Sequence, residues 1–295
     1  MSVLSDAIGF GIVSGAIISL STMAMSLQHS VTKHANFSHG ELLTVAAYAM
    51  VAMQHYTDNI LVDGLVGLIV AALLAVVLDE FVFKPFRTRT RRLVILLVVT
   101  AAASQVLEST FALIFGANYV TLQVPVTSAR HVGPFLWTAT DIVVILLAVA
   151  AFLVTHVVLR YTSFGRSQRA VADDADLARV CGVNTSRVIR WTWVVAGLLA
   201  GLGGATLAVY SGTFNNLLGF NFLLVTFAAM IVGGIGKLYG AAIAGLIIGV
   251  VTSVAGAYTN EGYNQLFALG LLAVVVLVRP SGLFNTRAAD TRAFG

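Results

Sequence analysis

Long apolar segments constrain this chain more than any other feature of its sequence. Nine of them lie at about residues 7–27, 40–54, 60–83, 93–115, 137–159, 191–210, 221–236, 240–258 and 263–278. About 20 apolar residues are enough for a helix to cross the hydrocarbon layer. Inside that layer every backbone group must find its partner within the protein, which an α-helix achieves by itself. The segments therefore predict an all-α, polytopic membrane protein with eight or nine transmembrane helices.

Composition agrees with this fold class. Hydrophobic residues make up 58% of the chain and charged residues only 10%, against about 25% charged residues in a soluble domain. The spans leave little of the 295 residues for anything else, so we expect one transmembrane domain over residues 1–295. The second and seventh segments are short, which is typical of helices broken beside a central pathway.

The basic residues predict the orientation, because cytoplasmic loops carry an excess of Lys and Arg. When the basic run at residues 84–92 is placed in the cytoplasm and the spans alternate, 16 of the 17 Lys and Arg residues face inward. Only Arg130 faces outward. This assignment puts the N-terminus outside and the C-terminus inside.

Residues 160–190 form the only long polar stretch, and we call it the 160–190 loop. Its charges alternate in sign, and we expect a helix from about Ser167 to Cys181. Gly182 suits a left-handed C-cap, and Asn184 or Thr185 is suited to cap the next helix. A short charged helix between two spans has no purpose in lipid. It is either a solvated connector or a docking element for a cytoplasmic partner.

Glycine accounts for 27 residues, and several glycines are spaced four apart. This spacing puts both glycines on one face of a helix and lets two helix backbones approach closely. We expect tight packing, within the subunit or across a dimer, at Gly11/Gly15, Gly197/Gly201, Gly236/Gly240 and Gly245/Gly249.

The known motifs of enzymes are not matched. The stretch GGIGKLYG at residues 233–240 fails the phosphate-loop pattern, because Leu238 stands where Ser or Thr is required. SHGE at residues 38–41 is not the HExxH motif of zinc proteases. With Cys181 as the only cysteine, no cysteine metal cluster is expected, and neither a metal nor another cofactor is predicted. The chain also lacks a basic face interleaved with aromatic residues, so nucleic acid is not an expected partner.

Four stretches of the chain stand out together: NFSHGELLTVAAY, GRSQRAVADDADLARVCGVNTSRV in the 160–190 loop, AAMIVGGIGKLYGAAIAGLIIGV and LVRPSGLF. They resemble the motifs of the permeases of branched-chain amino acid ABC transporters of the LivH type. The first resembles that family's NFAHGE…GAY signature, and the second resembles its GRA.RA.AED loop. AAMIVGGIGKLYGAAIAGLIIGV and LVRPSGLF resemble two further motifs, in the family's order. The stretch AAMIVGGIGKLYGAAIAGLIIGV contains the glycines expected to pack helices, Gly233, Gly234, Gly236, Gly240, Gly245 and Gly249.

The resemblance implies a transport subunit in the cytoplasmic (inner) membrane of a bacterium or archaeon, which is not itself an enzyme. It also implies partners: a second homologous permease, two cytoplasmic ATP-binding subunits and an extracytoplasmic substrate-binding protein. By the same likeness, the 160–190 loop couples the permease to an ATP-binding subunit. The residues expected to carry the coupling are Gly165, Arg166, Arg169, Ala170, Asp176, Ala178, Gly182 and Asn184.

A polar cluster at residues 36–41 runs directly into the second apolar segment. Irregular backbone inside a membrane is tolerated only where it lines a cavity or is buried in protein. Gly40 permits a bend or a close approach, and Glu41 is placed to cap the following helix. Glu108 is a carboxylate inside the fourth segment, which is costly unless it faces a cavity or a partner. Residues of the translocation path or its gate are therefore expected among Asn36, Ser38, His39, Gly40, Glu41 and Glu108, with a structural hinge as the alternative.

The sequence leaves the identity of the transported solute undecided. Leucine, isoleucine and valine are implied by the resemblance, but Lys33, His34 and Glu108 depart from the family pattern. Relatives of the same build move urea, short amides or other small organic solutes. An ATP-independent carrier or channel is the alternative of another class. The long charged loop and the shortage of buried charges for ion coupling speak against it.

Overall fold

The computed structural model describes residues 3–89, 93–124, 129–132, 135–259, 263–279 and 282–283. Each of the nine apolar segments forms a helix over most of its length. The helices are α1 (Val3–Thr32), α2 (His39–Met53), α3 (Ile60–Val77), α4 (Lys84–Arg89), α5 (Leu93–Phe115), α6 (Ala139–Tyr161), α7 (Ser163–Asp173), α8 (Ala175–Val180), α9 (Thr185–Ser211), α10 (Leu218–Gly233), α11 (Leu238–Tyr258) and α12 (Asn264–Val278).

A π-helical segment, Leu78–Phe83, connects α3 to α4, so that 60–89 is one continuous helical span. Strands are few and short in the described ranges. β1 (Val120–Thr121) pairs antiparallel with β4 (Thr213–Phe214), and β2 (Arg130–Val132) pairs antiparallel with β3 (Phe135–Trp137).

Six helical spans within the described residues are long and apolar enough to cross a membrane. They are α1, the 60–89 span, α5, α6, α9 and α11, and two shorter apolar helices, α10 and α12, accompany them. Large apolar side chains on these helices are exposed, among them Leu73, Leu113 and Leu146. The chain is therefore a polytopic helical membrane protein, as its sequence predicts. The number of crossings and the orientation of the termini stay predictions.

The chain divides into two compact units, each built from separated stretches of sequence. The first unit comprises residues 1–26, 127–148 and 224–295, and the second comprises residues 27–126 and 149–223. The single transmembrane domain expected from the sequence stays a prediction.

In the first unit, α1 and α11 cross at their glycines. A Cβ atom on Gly249 would lie 2.2 Å from Cα of Gly15, and one on Gly245 would lie 2.7 Å from Cα of Ser19. The hydroxyl of Ser19 also donates to the carbonyl of Ala242 at 2.7 Å. The two backbones are therefore in direct contact within one chain.

The glycines before α11 serve a turn. Gly234 and Gly236 have positive φ angles of 96° and 76°, and α11 begins only at Leu238. The expectation that Gly236 and Gly240 share a helix face is therefore wrong, because Gly236 lies outside the helix. Gly233 instead meets Gly240 across the turn, where an added Cβ would lie 2.3 Å from the Gly240 carbonyl oxygen.

In the second unit, α2, α3 and α9 pack together along small residues. A Cβ on Gly197 would lie 2.7 Å from Cα of Ala72, and one on Gly201 would lie 2.8 Å from Cα of Leu68. At the end of this core, the ring of Tyr48 stacks on Phe115 with a centroid distance of 4.4 Å. This core carries both the polar cluster and the 160–190 loop.

Candidate functional site

The turn between α1 and α2 is built around Asn36. Its Oδ1 accepts hydrogen bonds from the backbone N–H of Ser38 (3.1 Å) and from the Ser38 hydroxyl (2.7 Å). Its Nδ2 donates to Oε1 of Gln28 at 3.2 Å. All three side chains are buried. The Asn36 amide therefore ties the end of α1 to the start of α2.

Helix α2 begins with His39 and Gly40, and it begins in close contact with α10. A Cβ on Gly40 would lie 2.6 Å from the carbonyl oxygen of Gly219, and His39 is fully buried. The N–H of Gly219, at the open N-terminal end of α10, donates to Oγ1 of Thr44 at 3.0 Å. The absence of a side chain at both glycines thus permits this crossing.

Glu41 is fully buried, and its carboxylate turns to α5. Oε1 of Glu41 accepts a hydrogen bond from the hydroxyl of Ser104 at 3.1 Å. Ser38 takes the N-cap position, and Glu41 lies in the first turn of α2, where the helix dipole favours a carboxylate. Its Oε1 makes a tertiary hydrogen bond to α5 from this position.

A polar stripe on α5 faces these residues. Thr100, Ser104 and Glu108 are four residues apart, which places them on one face of the helix. Oγ1 of Thr100 approaches the carbonyl of Ala35 at 3.5 Å, Ser104 binds Glu41, and Glu108 is half-buried. The structure thus brings Glu108 to the same side as the polar cluster. Thr100 and Ser104 were not expected, although their spacing from Glu108 is visible in the sequence.

The 160–190 loop contains two helices rather than the single helix expected from Ser167 to Cys181. Helix α7 begins at Ser163, where Oγ1 of the N-cap residue Thr162 accepts from the N–H of Gly165 at 3.2 Å. Asp174 is extended, with φ of −148°, and its carboxylate accepts from the first two N–H groups of α8 beyond Ala175, each at 2.9 Å. An aspartate gains more as an N-cap than inside a helix, and this capping breaks the helix.

Helix α8 ends, and α9 begins, as the sequence predicts. Gly182 has a φ of 85°, the N–H of Val183 donates to the Ala178 carbonyl, and the N–H of Gly182 donates to the Arg179 carbonyl. This pattern is a Schellman motif. Oδ1 of Asn184 then accepts from the N–H of Arg187 at 3.0 Å and caps α9.

One face of α7 is buried and the other is exposed. Gly165, Gln168 and Val171 are buried, whereas Arg166, Arg169 and Ala170 are exposed. Gly165 lies directly against the end of α6, because a Cβ there would overlap the Leu159 carbonyl. The guanidinium of Arg169 donates to the same carbonyl.

Helix α8 presents apolar side chains to the surroundings. Ala178 is buried, but Leu177 is 62% exposed and Val180 is 85% exposed. Asp176 is exposed as well and pairs with Arg179 at 3.3 Å. Leu177 and Val180 are three residues apart, so both exposed side chains lie on one face of α8.

Ion pairs join the end of the loop to the 60–89 span. Arg190 binds Glu80 at 3.0 Å, Lys84 binds the same carboxylate, and Arg87 binds the buried Asp79 at 2.9 Å. Asp79 and Glu80 were not among the residues predicted to be functional. Their position four to eight residues before Lys84 and Arg87 on one helix was the available signal.

His34 is buried beside this region and outside the spans. Its Nδ1 lies 3.1 Å from the Thr32 carbonyl, and its ring meets the ring of Phe83 edge-on. Burial lowers the pKa of His34 below the ordinary value of 6.5. Within the described ranges, no group of three His, Cys, Asp or Glu side chains is arranged to hold a metal ion.

Comparison with known proteins matches the chain over nearly its whole length. Residues 7–277 match the family described as branched-chain amino acid transport system / permease component. No solved structure matches the chain significantly.

Several relatives are similar at low identity but over most of both chains. The high-affinity branched-chain amino acid transport system permease protein LivH of Salmonella typhimurium is 29% identical, over 93% of this chain and 93% of its own length. LivH of Escherichia coli is 28% identical over the same shares. The permease protein BraD of Pseudomonas aeruginosa is 24% identical over 93% of this chain and 94% of its own.

Proposed function

Because the chain belongs to the family of branched-chain amino acid transport permeases, we propose that it forms half of the translocation path of an ABC importer for leucine, isoleucine and valine. The similarity to relatives named for this transport, over 93% of the chain, carries the proposal. The protein resides in the cytoplasmic membrane. It works with a second permease, two ATP-binding subunits and a binding protein that delivers the solute.

The 160–190 loop is the docking element for an ATP-binding subunit. Three features support this role: α7 and α8 are firmly capped, Arg166 and Arg169 are exposed, and Leu177 and Val180 extend into the surroundings. Capped helices hold these side chains in place before the partner arrives, which lowers the entropic cost of association. ATP-driven closure of the subunits then moves the loop.

The polar cluster and the α5 stripe line the translocation path or its cytoplasmic gate. A carboxylate inside a span is costly unless it faces a cavity or a partner. Glu41 and Glu108 lie on the same side of α5, together with Ser104. Their hydrogen-bonding groups suit a zwitterionic solute that must leave water to pass.

The first experiment is co-purification of the tagged protein from its native membrane, followed by mass spectrometry and reconstitution. We expect a second permease and ATP-binding subunits, and ATP-dependent leucine uptake into liposomes once the binding protein is added. Uptake of urea or short amides in place of leucine would change the cargo. Uptake by the protein alone without ATP would overturn the ABC assignment.

Docking has its own matched pair of variants. Leu177→Asp is expected to abolish co-purification of the ATP-binding subunits, because a charge replaces an apolar contact. Tyr119→Asp is the control, since Tyr119 is 73% exposed in the outer region of the predicted topology. Retention of the subunits by the Leu177 variant would refute docking at α8.

The path is tested with Asn36→Ala and Glu41→Gln in the assembled complex. Both variants are expected to reduce uptake at least fivefold while assembly is kept. Thr110→Val is the control, because Thr110 is exposed on α5 and its hydroxyl bonds only the Val106 carbonyl of its own helix. Wild-type uptake by both variants would show that the cluster is a structural hinge.

A further inference from the structure

The buried face of α7 makes a polar contact with the C-terminal end of α1. Nε2 of Gln168 donates to Oγ of Ser30 at 2.8 Å, and both side chains are buried. The Ser30 hydroxyl in turn donates to the Leu27 carbonyl at 2.7 Å. Because its proton is committed to Leu27, the oxygen of Ser30 is held as the acceptor for Gln168.

A second contact lies at the C-terminal end of α7. Nζ of Lys33 donates to the carbonyl oxygen of Ala172. The last four carbonyls of a helix lack partners within the helix, and a cation there is favoured by the helix dipole. Gln168 and Ala172 are four residues apart, so the same face of α7 makes both contacts.

Lys33 is held in an unusual conformation where it makes this contact. It is the only non-glycine residue with a positive φ in the described ranges, at 60°, and its N–H donates to the His29 carbonyl at 2.9 Å. Side chains other than glycine rarely take this conformation. The turn that ends α1 thus places the chain's departure from the family pattern, Lys33, against the end of α7.

The same turn continues by hydrogen bonds into the polar cluster. Gln28 lies two residues before Ser30, and its Oε1 accepts from Nδ2 of Asn36. Asn36 accepts from Ser38 at the N-cap of α2. The buried hydrogen bonds Gln168–Ser30 and Asn36–Gln28, joined by the backbone of α1 between residues 28 and 30, therefore connect α7 to the start of α2.

The ion pair between Arg190 and Glu80 also connects the loop to the helices, but it is a weaker link. Arg190 is half-exposed, and an exposed ion pair between long side chains is screened by solvent and salt. Buried hydrogen bonds have fixed geometry, and their groups cannot turn to water when the helix moves. Displacement of α7 must therefore move the end of α1 or break the buried Gln168–Ser30 bond, whereas the Lys33 contact with Ala172 is exposed and adds the attraction of a cation to the helix end.

We propose that Gln168 and Lys33 are positioning residues that transmit movement of the 160–190 loop to the polar cluster at the start of α2. This inference rests on the proposed function of the loop. Neither residue contacts the solute or the nucleotide. Each acts through residues 28–36, which comprise the end of α1 and the turn that follows it. Loss of either contact lets α7 move without moving the polar cluster.

The test measures leucine uptake and ATP hydrolysis on the same liposomes, which contain the full complex and the binding protein. Gln168→Leu removes the donor at similar volume, and Lys33→Met removes the cation. We expect ATP hydrolysis within twofold of wild type and uptake per ATP reduced at least fivefold. Lys33→Arg keeps a cation at the same place and is expected to restore the ratio. Thr110→Val, on the exposed side of α5 and outside the loop, is the neutral control.

The outcomes separate this inference from the proposed function. If the wild-type complex takes up no leucine with ATP, the proposed function fails before any variant is compared. If wild type transports and both variants keep its uptake per ATP, the relay is wrong, even where they assemble in lower yield. The double variant Gln168→Leu/Ser30→Ala is expected to be no worse than Gln168→Leu alone. An additive loss would show that Gln168 does not act through Ser30.

Discussion

Replacing Gly40 with alanine tests how closely α2 and α10 must approach at the polar cluster. The added Cβ would lie 2.6 Å from the Gly219 carbonyl oxygen and 2.8 Å from its carbonyl carbon. Both neighbours are backbone atoms, so no side-chain rotation relieves the overlap. In the reciprocal variant, Gly219→Ala, the Cβ would overlap the Gly40 carbonyl and lie 2.5 Å from Oγ1 of Thr44.

Two opposing effects determine how much Gly40→Ala changes the free energy of unfolding. Alanine inside a helix is favoured over glycine by about 1 kcal/mol, whereas overpacking a tight core costs about 1–3 kcal/mol. With contacts well below 3 Å, we take the upper part of that range and expect Gly40→Ala to destabilise the protein by about 1–2 kcal/mol. Gly219→Ala is expected to cost more, because it also disturbs the hydrogen bond from the Gly219 N–H to Thr44.

Gly64→Ala is the matched control. Gly64 lies in α3, and the nearest atom to an added Cβ is the flexible Cε of Met50 at 4.0 Å. Here only the helix preference remains, and a gain of about 0.5–1 kcal/mol is expected. Heating in detergent followed by fluorescence-detected size-exclusion chromatography gives the order of stability. A Gly40→Ala variant as stable as Gly64→Ala would refute the close crossing.

Further predictions use the same heating assay. Asn184→Ala removes the acceptor for the Arg187 N–H and is expected to cost about 1 kcal/mol, with Asn184→Asp as the neutral control. Arg87→Ala leaves the Asp79 carboxylate, whose side chain is 4% exposed, without its partner, and a loss of about 3 kcal/mol is expected. Arg190→Ala breaks an exposed pair instead and is expected to cost less than about 1 kcal/mol, vanishing at high salt. Because burial lowers the pKa of His34 below 6.5, the unfolded chain takes up its proton first on acidification. Stability is therefore expected to fall as the pH drops below about 6.5, and less steeply in His34→Gln; equal slopes would contradict this.

The apolar helices could be predicted because a hydrophobic helix is recognised from its own residues. A helix that crosses the lipid needs about 20 apolar residues and internal backbone hydrogen bonds. Contacts with other helices therefore have little effect on whether such a segment is helical. The 160–190 loop is different, because local hydrogen bonds compete there. Asp173, Asp174 and Asp176 all fall within the single helix predicted from Ser167 to Cys181, but Asp174 binds the N–H groups of α8 and ends α7.

The candidate site could be predicted only in part. The polar cluster is conspicuous because six residues of mixed polarity precede an apolar segment. Its partners Thr100 and Ser104 are not, because a hydroxyl in an apolar helix can satisfy itself on a carbonyl of the preceding turn. Thr110 does this on the exposed side of the same helix. Sequence therefore cannot tell which hydroxyl on α5 faces lipid and which meets Glu41.

Helix contacts at glycines could also be predicted only in part from the sequence. Gly245 and Gly249 lie in the middle of α11, and their spacing of four predicts a face for close helix packing even when the partner helix is unknown. Gly40 and Gly219 each stand alone near the start of a short helix, and they lie 179 positions apart in the sequence. Only the fold shows that a side chain on either glycine would overlap the backbone of the other. Since the Gly219 N–H also binds Thr44, any movement that opens this crossing must first break a buried hydrogen bond. The start of α2 is therefore held against α10 by close packing and a hydrogen bond, in addition to the relay that we propose from α7.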